Sequence, residues 1–508
     1  MRVLMTILFC LVAYSLFGQA FSNRYDTLEE GAYDTSSIIY NEDGLTIVGS
    51  RLDANLDGLG YFDRVVFSRI DEEGLLVYEN YLYEPYHNNR SGFFNRASKV
   101  GDDYVFAGFS TSLIDNGDGT FSADSLRPQI TRVDNSGNIV WRKDYFISNH
   151  INQFFRAIPA LDGGIIALGQ SYLVDSEDEQ VWLVKVDDEG EVVWSKEFGV
   201  ENSKDFCTKI EVFNNTYLIT GTYVISPGTQ RAQMYQVDSA GNVLEEFTNF
   251  NLEGSPLFSY ATHSISNEEF FVRLPKILES DDLDLENHVG LMNADFDMLW
   301  TVNVDLNPND NLALYNADVN DDGDLIFLGR TQSSEFPANT EVVVGKVSYE
   351  GELEWIRSFV YSEYGIHILK GLDTYENRIA LSGFMIHLPP DNFEVGEQDM
   401  WILKLDEHGC LIENCHTGVE EIENTDFKIF PNPTSDYMYA DLSNYTIGRG
   451  EAEFILHDSF GRELQRVRIV NPEATYVFPV HDLADGMYFL SLFTETEKLN
   501  TQKITVRN

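Results

Sequence analysis

Short runs in which apolar and polar residues alternate cover most of this chain. Val181–Asp187 and Glu191–Phe198 are typical, with a period of two and many Val, Trp and Phe residues. That period and that composition predict β-strands whose side chains point alternately to opposite faces. No segment with a helical period longer than about ten residues interrupts them, because apolar positions do not recur at a spacing of 3.6. The pattern predicts an all-β protein.

A motif of the form Asp-x-x-Gly-x-x-x-Trp recurs every 51 to 63 residues. Its clearest copies begin at Asp134 and Asp187 and reach Trp141 and Trp194. Eroded copies begin at the following residues: Asp71, Asp238, Asn293, Ser348 and Asp406. Self-similarity at a regular period indicates a repeat architecture, here with seven units.

Each repeat contains a strand that ends near a glycine, then a variable loop, a second strand, the Asp-x-x-Gly turn and a further strand. The glycines are Gly49, Gly108, Gly169, Gly221, Gly329 and Gly383, with Arg273 in their place in the fifth repeat. An upstream strand such as Ser36–Tyr40 gives four strands per repeat. Seven four-stranded units predict a seven-bladed β-propeller. Phe21–Tyr25 resembles the strand Trp194–Phe198, so we expect it to add an outer strand to the seventh blade and to close the ring.

The turn motif has a structural explanation. An Asp side chain accepts hydrogen bonds from backbone N–H groups two or three residues on, and Gly permits a positive φ. The Trp that follows is expected to pack against the neighbouring repeat. The Asp-x-x-Gly-x-x-x-Trp repeat resembles the propeller repeats of exported proteins from Gram-negative bacteria. It is more distantly similar to the tryptophan-docking repeats of quinone-dependent propellers and to the neuraminidase Asp-box. These resemblances concern fold and not activity.

The last part of the chain is predicted to be a separate small β-sandwich. Seven short β-runs follow Phe427, separated by turns such as Asp458–Gly461. The segment resembles the type A C-terminal sorting domain of the type IX secretion system. The residues that carry this resemblance are Pro431, Asn432, Pro433, Gly486, Tyr488 and Lys503. It implies export through the inner membrane, interaction with the type IX machinery, and release or attachment at the outer surface.

The N-terminal segment is typical of a secretory leader. Arg2 precedes an apolar stretch, and Gly18 and Ala20 supply small residues at the cleavage site. The expected organisation is a leader at 1–20, a propeller at 21–416, a linker at 417–426 and a sorting domain at 427–508. No later stretch is long and apolar enough for a transmembrane span. Three cysteines remain: Cys410 and Cys415 are the expected disulfide pair, and Cys207 is expected to be buried.

The charge is strongly acidic, with 34 Lys and Arg against 83 Asp and Glu, a net charge of −49. Such a surface repels nucleic acid and anionic lipid. Two acidic loops leave two interpretations open, an ordinary turn or a calcium site. Their oxygen-bearing residues alternate before a glycine, as in the calcium loops of integrin-type propellers that they resemble. They are Asp53, Asn55 and Asp57 in the first loop, and Asp318, Asn320 and Asp322 in the second.

No catalytic motif stands out, because the ten histidines form no zinc motif and no nucleophile elbow occurs. In a propeller the longer loops share one face, and we expect a ligand there. The candidate residues are Tyr83, Tyr86, His87, Arg90, Phe154, Phe155 and Arg156. The alternative interpretation is that the aromatic residues among them only fill the rim of the propeller. The predicted function is non-catalytic binding, adhesion or display, with polysaccharide or a surface protein as partner. The alternatives are a polysaccharide hydrolase or lyase with carboxylates at the channel, and a structural coat protein.

Overall fold

The structure is a computed structural model in which every described element is a β-strand. The described residues are 20–25, 31–54, 61–84, 87–92, 97–117, 121–174, 176, 178–225, 229–248, 251–252, 255–256, 261–277, 285–305, 312–332, 340–360, 365–387, 398–411, 427–442, 452–458, 462–469, 475–494 and 498–507. No helix long and apolar enough to span a bilayer occurs among them.

Seven antiparallel sheets form the body of the molecule. The first strand of the chain is β1 (Phe21–Tyr25). Blade 1 consists of β2 (Gly31–Asn41), β3 (Gly44–Ala54), β4 (Tyr61–Ile70) and β5 (Leu76–Leu82). Blade 2 consists of a split inner strand, β6 (His87–Arg90) and β7 (Ser98–Val100), with β8 (Asp103–Asp115), β9 (Phe121–Val133) and β10 (Ile139–Asp144). Blade 3 consists of β11 (His150–Pro159), β12 (Ile165–Leu173), β13 (Gln180–Val186) and β14 (Val192–Phe198).

The remaining blades repeat this order. Blade 4 consists of β15 (Ser203–Phe213), β16 (Thr216–Ile225), β17 (Thr229–Val237) and β18 (Val243–Thr248), followed by a small hairpin of β19 (Asn251–Leu252) and β20 (Ser255–Pro256). Blade 5 consists of β21 (Ala261–Ser264), β22 (Glu269–Ile277), β23 (Leu285–Asn293) and β24 (Met298–Asn303). Blade 6 consists of β25 (Ala313–Val319), β26 (Leu325–Gln332), β27 (Thr340–Val347) and β28 (Leu353–Val360). Blade 7 has β29 (Gly365–Tyr375), β30 (Arg378–His387) and β31 (Gln398–Leu405).

The ring closes as the sequence predicts, through the first strand of the chain. β1 pairs antiparallel with β31, with Phe21 opposite Lys404 and Tyr25 opposite Met400, and so supplies the fourth strand of blade 7. The first strands of neighbouring blades contact one another around the ring, which places them at the central axis. The architecture is therefore a seven-bladed β-propeller.

An aromatic side chain at the end of the repeat motif ties each blade to the next. The Trp141 indole Nε1 donates to the Asp188 carbonyl at 2.9 Å and its ring lies against Gly190. The other junctions are Phe21 with Gly74, Tyr78 with Asn135, Trp194 with Gly241, Trp300 with Tyr349 and Gly351, and Trp355 with Gly409. The aromatic residues of the motif therefore act between blades, as expected.

The junction between blades 4 and 5 lacks both halves of the motif and replaces them. Glu245 stands where a Trp is expected, and Phe296 stands where a Gly is expected. Phe247, two residues further along the outer strand, packs on Phe296 with ring centroids 4.2 Å apart. Phe296 keeps the left-handed backbone of the missing glycine, with φ of 63°. The contact between blades 4 and 5 is preserved because the Phe296 ring on the turn packs against Phe247. At other junctions an aromatic ring packs over a glycine at this place.

The repeated turn uses the Asp side chain differently from the prediction. Asp187 Oδ1 accepts the N–H groups of Glu189 at 3.1 Å and Glu191 at 2.7 Å, which are two and four residues on rather than two and three. The turn is closed by the Gly190 N–H, which donates to the Asp187 carbonyl. The fourth-residue bond reaches the start of the outer strand, so the side chain fixes the whole turn.

The recurring mid-blade glycine is explained by a bulge in the inner strand. In blade 3 the register of β11 against β12 shifts between Phe154 and Arg156, and this pushes the Gln153 carbonyl towards Gly169. A Cβ at Gly169 would lie 2.0 Å from that carbonyl oxygen. Blade 5 has Arg273 at this position, and there the pairing of β21 with β22 runs without a shift.

The C-terminal domain is a two-layered β-sandwich with the seven predicted strands. They are β32 (Lys428–Phe430), β33 (Tyr437–Asp441), β34 (Ala452–Asp458), β35 (Glu463–Ile469), β36 (Thr475–Pro479), β37 (Gly486–Thr494) and β38 (Lys498–Val506). One sheet has the order β35-β34-β37-β38, and the other has the order β36-β33-β32. The core between the sheets contains Phe454, Phe478 and Leu490.

Candidate functional site on the long-loop face

A cavity lies where blades 7, 1 and 2 meet, on the face that carries the long loops. Its volume is about 240 Å³. The lining residues are Ala32, Asp34, Ser50, Leu52, Asp63, Arg90, Gly92, Phe109 and Gln398. They come from six strands and one short connection, so the cavity exists only because the ring brings the first and last blades together.

Two ion pairs supply the charge of this cavity. The Arg90 guanidinium Nε lies 2.7 Å from Asp63 Oδ2, and the Lys370 ammonium lies 2.6 Å from Asp34 Oδ1. Each of the four side chains retains partial exposure, between 13% and 38%. The two pairs are balanced, in a molecule whose net charge is −49. The cavity is therefore rich in hydrogen-bonding groups while carrying little net charge.

Hydrogen bonds hold the walls of the cavity in place. Ser50 Oγ accepts the Ser91 N–H at 3.0 Å, and the Asp63 N–H donates to Asn88 Oδ1 at 3.0 Å. Gln398 Nε2 donates to the Tyr33 carbonyl, which links blade 7 to blade 1. The lining residues are thus held in place by hydrogen bonds between paired strands.

The floor next to the cavity is a buried charged network. Arg51, between Ser50 and Leu52 on β3, is fully buried, with its guanidinium over the Tyr33 ring at 4.5 Å. It donates to the Tyr81 hydroxyl at 2.9 Å and lies 3.7 Å from Glu79 Oε1. Burial of a paired charge makes this part of blade 1 sensitive to substitution.

The structure brings together only part of the predicted ligand-binding set. Arg90 lines the cavity. Tyr83, which follows β5, is 43% exposed and lies under the Arg64 guanidinium at 4.4 Å. His87 bonds the Ser112 hydroxyl at 3.0 Å, whereas Tyr86 lies outside the described residues.

Two of the predicted ligand-binding residues need correction. Phe154 is fully buried and stacks on Trp182 with centroids 4.6 Å apart, and Phe155 packs edge-on against Phe206 at 4.9 Å. Both rings fill the space between blades and are inaccessible to a ligand. Arg156 follows them on β11 and is half-buried in the same inner strand. Phe154 and Phe155 were assigned to a ligand site because the sequence does not show that both faces of a blade are buried. An aromatic residue on either face of a blade strand packs against a neighbouring blade.

Sequence reasoning missed Asp34, Asp63, Lys370 and Gln398. Asp34 and Lys370 lie on inner strands of blades 1 and 7, and Gln398 begins β31. Asp34 and Gln398 belong to opposite ends of the propeller sequence. No spacing in the chain connects them, and only the closure of the ring predicts that they meet.

The second predicted calcium loop has the hydrogen bonds of a repeat turn. Asn320 Oδ1 accepts the Asp324 N–H at 2.8 Å, and the Gly323 N–H donates to the Asn320 carbonyl. Asp318 Oδ2 accepts the Thr374 N–H at 3.1 Å, and Asp322 Oδ2 accepts from Asn377 Nδ2 at 2.9 Å. Within the part of the chain that the structure describes, no group of three His, Cys, Asp or Glu side chains could hold a metal ion.

The first predicted calcium loop and the predicted disulfide fall largely on residues without a description. Asn55 and Asp57 lie outside the described residues, as does Cys415, and the side chain of Asp53 is not described. Cys410 is buried, with 1% exposure. Both assignments stay predictions. Cys207 is a buried free thiol, as expected, and burial raises its pKa well above the ordinary value.

The residues that carry the sorting-domain resemblance converge at one end of the sandwich. Asn432, between Pro431 and Pro433, accepts the Thr505 N–H on Oδ1 at 2.9 Å and donates to the Lys503 carbonyl from Nδ2 at 2.7 Å. Gly486 begins β37, and the Tyr488 hydroxyl donates to the Ala484 carbonyl at 2.8 Å. The Pro-Asn-Pro segment and the closing strand thus form one hydrogen-bonded unit.

Comparison with protein families identifies this domain. Residues 428–507 match the family described as the secretion system C-terminal sorting domain. The domain is that of the type IX system, and it indicates export to the cell surface or secretion beyond it. No curated protein matches the chain.

The solved structures with some similarity to this chain are distant. A subtype N10 neuraminidase-like protein of A/little yellow-shouldered bat/Guatemala/060/2010 is 8% identical, with coverage of 62% of this chain and 92% of that one and a TM-score of 0.36. Prolyl oligopeptidase B from Galerina marginata is 9% identical, with 74% and 47% coverage and a TM-score of 0.38. A puromycin hydrolase is 11% identical, with 70% and 59% coverage and a TM-score of 0.33. Similarities this distant say nothing about activity.

Proposed function

We propose that the protein is an exported, non-catalytic binding module whose cavity at blades 7, 1 and 2 holds a hydroxyl-rich ligand, such as one sugar unit of an extracellular polysaccharide. The observation that carries the proposal is the pairing of Arg90 with Asp63 at 2.7 Å inside a cavity on the long-loop face. Binding residues of rigid scaffolds are usually found on such loops and clefts.

The chemistry of the lining favours neutral polar ligands. Sugar hydroxyls donate to carboxylates and accept from guanidinium and amide N–H groups, and Asp63, Arg90 and Gln398 supply all three. A highly charged anion would meet the acidic surface of the whole molecule first. The cavity volume of about 240 Å³ lies below the range of about 300–1,000 Å³ for drug-sized ligands, so one ring or a group of similar size fits.

The test is a polysaccharide array followed by titration calorimetry, using the chain from Phe21 to Asn508. We expect a saturable hit whose Kd becomes at least about tenfold weaker in Arg90→Gln, the loss of one charge-assisted hydrogen bond. The matched control is Arg132→Gln. Arg132 forms an ion pair of the same length, 2.7 Å from its Nε to Asp103 Oδ2, away from the cavity.

Each alternative has its own result. Equal weakening in Arg90→Gln and Arg132→Gln would place binding elsewhere and reject the cavity. Soluble digestion products would favour the hydrolase or lyase alternative with carboxylates at the channel. An array without any saturable hit would favour a structural coat protein.

Calcium binding is a separate proposal for the loop that contains Asp53, Asn55 and Asp57. It is supported by alternating oxygen-bearing residues before Gly58, the pattern of a hard-cation loop. A rise in Tm on addition of calcium that a chelator reverses would support it. Equal Tm values with calcium and with chelator would reject it.

A further inference from the structure

The strand that closes the ring presents a different partner on each of its two faces. Side chains alternate along a strand, so Phe21, Asn23 and Tyr25 share one face of β1. That face lies on blade 1, where Asn23 Nδ2 and the Tyr25 hydroxyl both donate to the Gly74 carbonyl at 2.8 Å. The phenyl ring of Phe21 lies against the same glycine.

The opposite face of β1 and its backbone meet both blade 7 and the sorting domain. Ser22 Oγ accepts the Trp401 indole N–H at 2.9 Å, and the Ser22 carbonyl accepts the Tyr439 hydroxyl. Burial raises the pKa of Asp436, and the charges of His481 and of Arg24, on the same face of β1, oppose that rise. One strand of five residues therefore joins blade 7, blade 1 and the sorting domain.

The small sheet of the sorting domain is covered on both faces. Met438, Ala440 and Phe478 point into the sandwich core. Tyr437, Tyr439 and Val477 point the other way and join the apolar cluster of blades 6 and 7, which includes Phe359, Trp401 and Leu411. These three residues are at most 9% exposed. Without the propeller they would form an exposed apolar patch, the kind of surface that a folded domain normally covers.

The edge of this sheet is also engaged by the propeller. β36 pairs parallel with β28, the outer strand of blade 6, with Phe359 opposite Thr475 and Val360 opposite Tyr476. An outer strand is an open edge that readily accepts another strand. A cavity of about 540 Å³ remains between the domains, lined by Phe21, Asn23, Phe430, Asp436 and Tyr439 among others.

We propose that the sorting domain docks only on a closed propeller. A docked sorting domain therefore indicates that β1 has paired with β31. The docking surface is built from β1, β28 and β31, and two of these three strands exist as a pair only after the first strand has joined the last blade. An open ring lacks the Ser22 carbonyl that accepts the Tyr439 hydroxyl, and it lacks the β1 wall of the cavity beside Tyr437 and Tyr439. Docked and undocked chains therefore present different surfaces to the secretion machinery.

The test disturbs ring closure from the blade 1 side of β1. A Cβ at Gly74 would lie 2.6 Å from Asn23 Nδ2 and 3.0 Å from the Phe21 ring, so Gly74→Ala pushes against β1. Gly190→Ala is the matched control, because Gly190 occupies the same turn in blade 3, with φ of 78° against 84° and a similar contact with Trp141. Hydrogen exchange is measured at Phe359–Val360 and Thr475–Tyr476 in the full chain.

We expect exchange at these four residues to accelerate by about tenfold or more in Gly74→Ala and to stay unchanged in Gly190→Ala. Equal acceleration in both variants, or none in either, would overturn the proposal. A second pair of variants leaves the propeller turns unchanged. Tyr439→Phe removes the hydrogen bond to the Ser22 carbonyl, and the control Tyr488→Phe removes a hydrogen bond inside the sandwich. Only Tyr439→Phe should speed exchange, about three- to tenfold, and identical behaviour of the two would again overturn the proposal.

Discussion

At the scale of single residues, buried charges and turn carboxylates set the energetics. Glu79 accepts hydrogen bonds from the Tyr33 hydroxyl at 3.1 Å and the Ser68 hydroxyl at 3.1 Å, with Arg51 as its cation. The Glu79 side chain is only 7% exposed and that of Arg51 is fully buried. Such a pair adds little net stability when intact, but it is costly to break because the remaining charge stays buried.

Arg51→Met is therefore expected to destabilise the chain strongly. We expect a loss of about 3–5 kcal/mol in the free energy of unfolding, since Glu79 is left without its cation. Arg127→Met is the comparison, because Arg127 lies 3.8 Å from Asp144 with 45% of its side chain exposed. That variant should lose less than about 1 kcal/mol. Urea unfolding measures both, and similar losses would contradict the assignment.

The turn carboxylates predict a loss of stability in acid. Hydrogen bonds from the Asn138 backbone and side chain hold the pKa of Asp134 below its usual value, and those of the Asn242 side chain and backbone do the same for Asp238. A lowered folded-state pKa means that the stabilisation is complete above the usual pKa of Asp and is lost as pH falls through the lower value.

Asp134→Asn tests this directly. Asn keeps the acceptor oxygen, as Asn293 does in blade 5, where its Oδ1 accepts the N–H groups of Asp295 and Asp297. We expect the difference in unfolding free energy between pH 7 and pH 3 to shrink in the variant, because one titrating group is gone. An unchanged difference would show that Asp134 does not contribute to acid sensitivity.

At the scale of elements, the recurring glycine and the inner-strand bulge occur together, because the bulge leaves no room for a side chain at the glycine. Glycine occurs where the bulged carbonyl approaches within 1.9 to 2.9 Å of the Cβ position, as at Gly169 and Gly383. Blade 5 has Arg273 and no bulge, and its inner strand β21 is four residues long. The Arg273 guanidinium instead donates to the Leu314 carbonyl of blade 6 at 2.6 Å, and burial lowers its pKa to about 10.

Gly169→Ala should therefore be poorly tolerated although Ala is the smallest change. The new Cβ would meet the Gln153 carbonyl, which belongs to the backbone and cannot rotate away. We expect a loss of about 1–3 kcal/mol. At Gly486 the nearest atom to a Cβ is 3.7 Å away, and Gly486→Ala should change stability by less than about 0.5 kcal/mol. Thermal unfolding of both variants checks the contrast.

At the scale of the whole molecule, the net charge of −49 opposes compaction. Cations are placed where they offset it locally. In four blades the side chain two residues before the repeat motif pairs with an acid in or directly after the turn that follows the inner strand. The pairs are Arg69 with Asp43, Arg132 with Asp103, Lys185 with Asp162, and Lys346 with Asp324. Salt screens the repulsion between the exposed carboxylates.

Tm should consequently rise with sodium chloride. Between 0.01 M and 1 M the screening length falls from about 30 Å to about 3 Å, which removes most repulsion between surface carboxylates. An uncharged osmolyte at the same osmolarity is the control for solvent exclusion. A Tm that is flat or falls over this range would show that the surface charge carries no stability cost.

Much of the fold could be predicted because its causes are local and repeated. Strand alternation, the Asp-x-x-Gly turns and the aromatic residues seven positions on define each blade, and Phe21–Tyr25 carried the same pattern far from its partners. The candidate site was predicted only through Arg90. Its partners Asp34, Asp63 and Gln398 carry no motif, and Phe154 and Phe155 were misassigned since buried faces lie on both sides of a blade strand.

The sequence by itself determined that the chain is all-β, that seven repeats form a propeller, that a small β-sandwich follows, and that the ring closes through its first strand. These features follow from short-range periodicity and turn chemistry, which need no knowledge of distant contacts. The tertiary structure alone decided which side chains share the cavity and that the sorting domain rests on β1 and blade 6. Both depend on residues up to several hundred positions apart, whose meeting is fixed by closure of the ring and by packing between its blades.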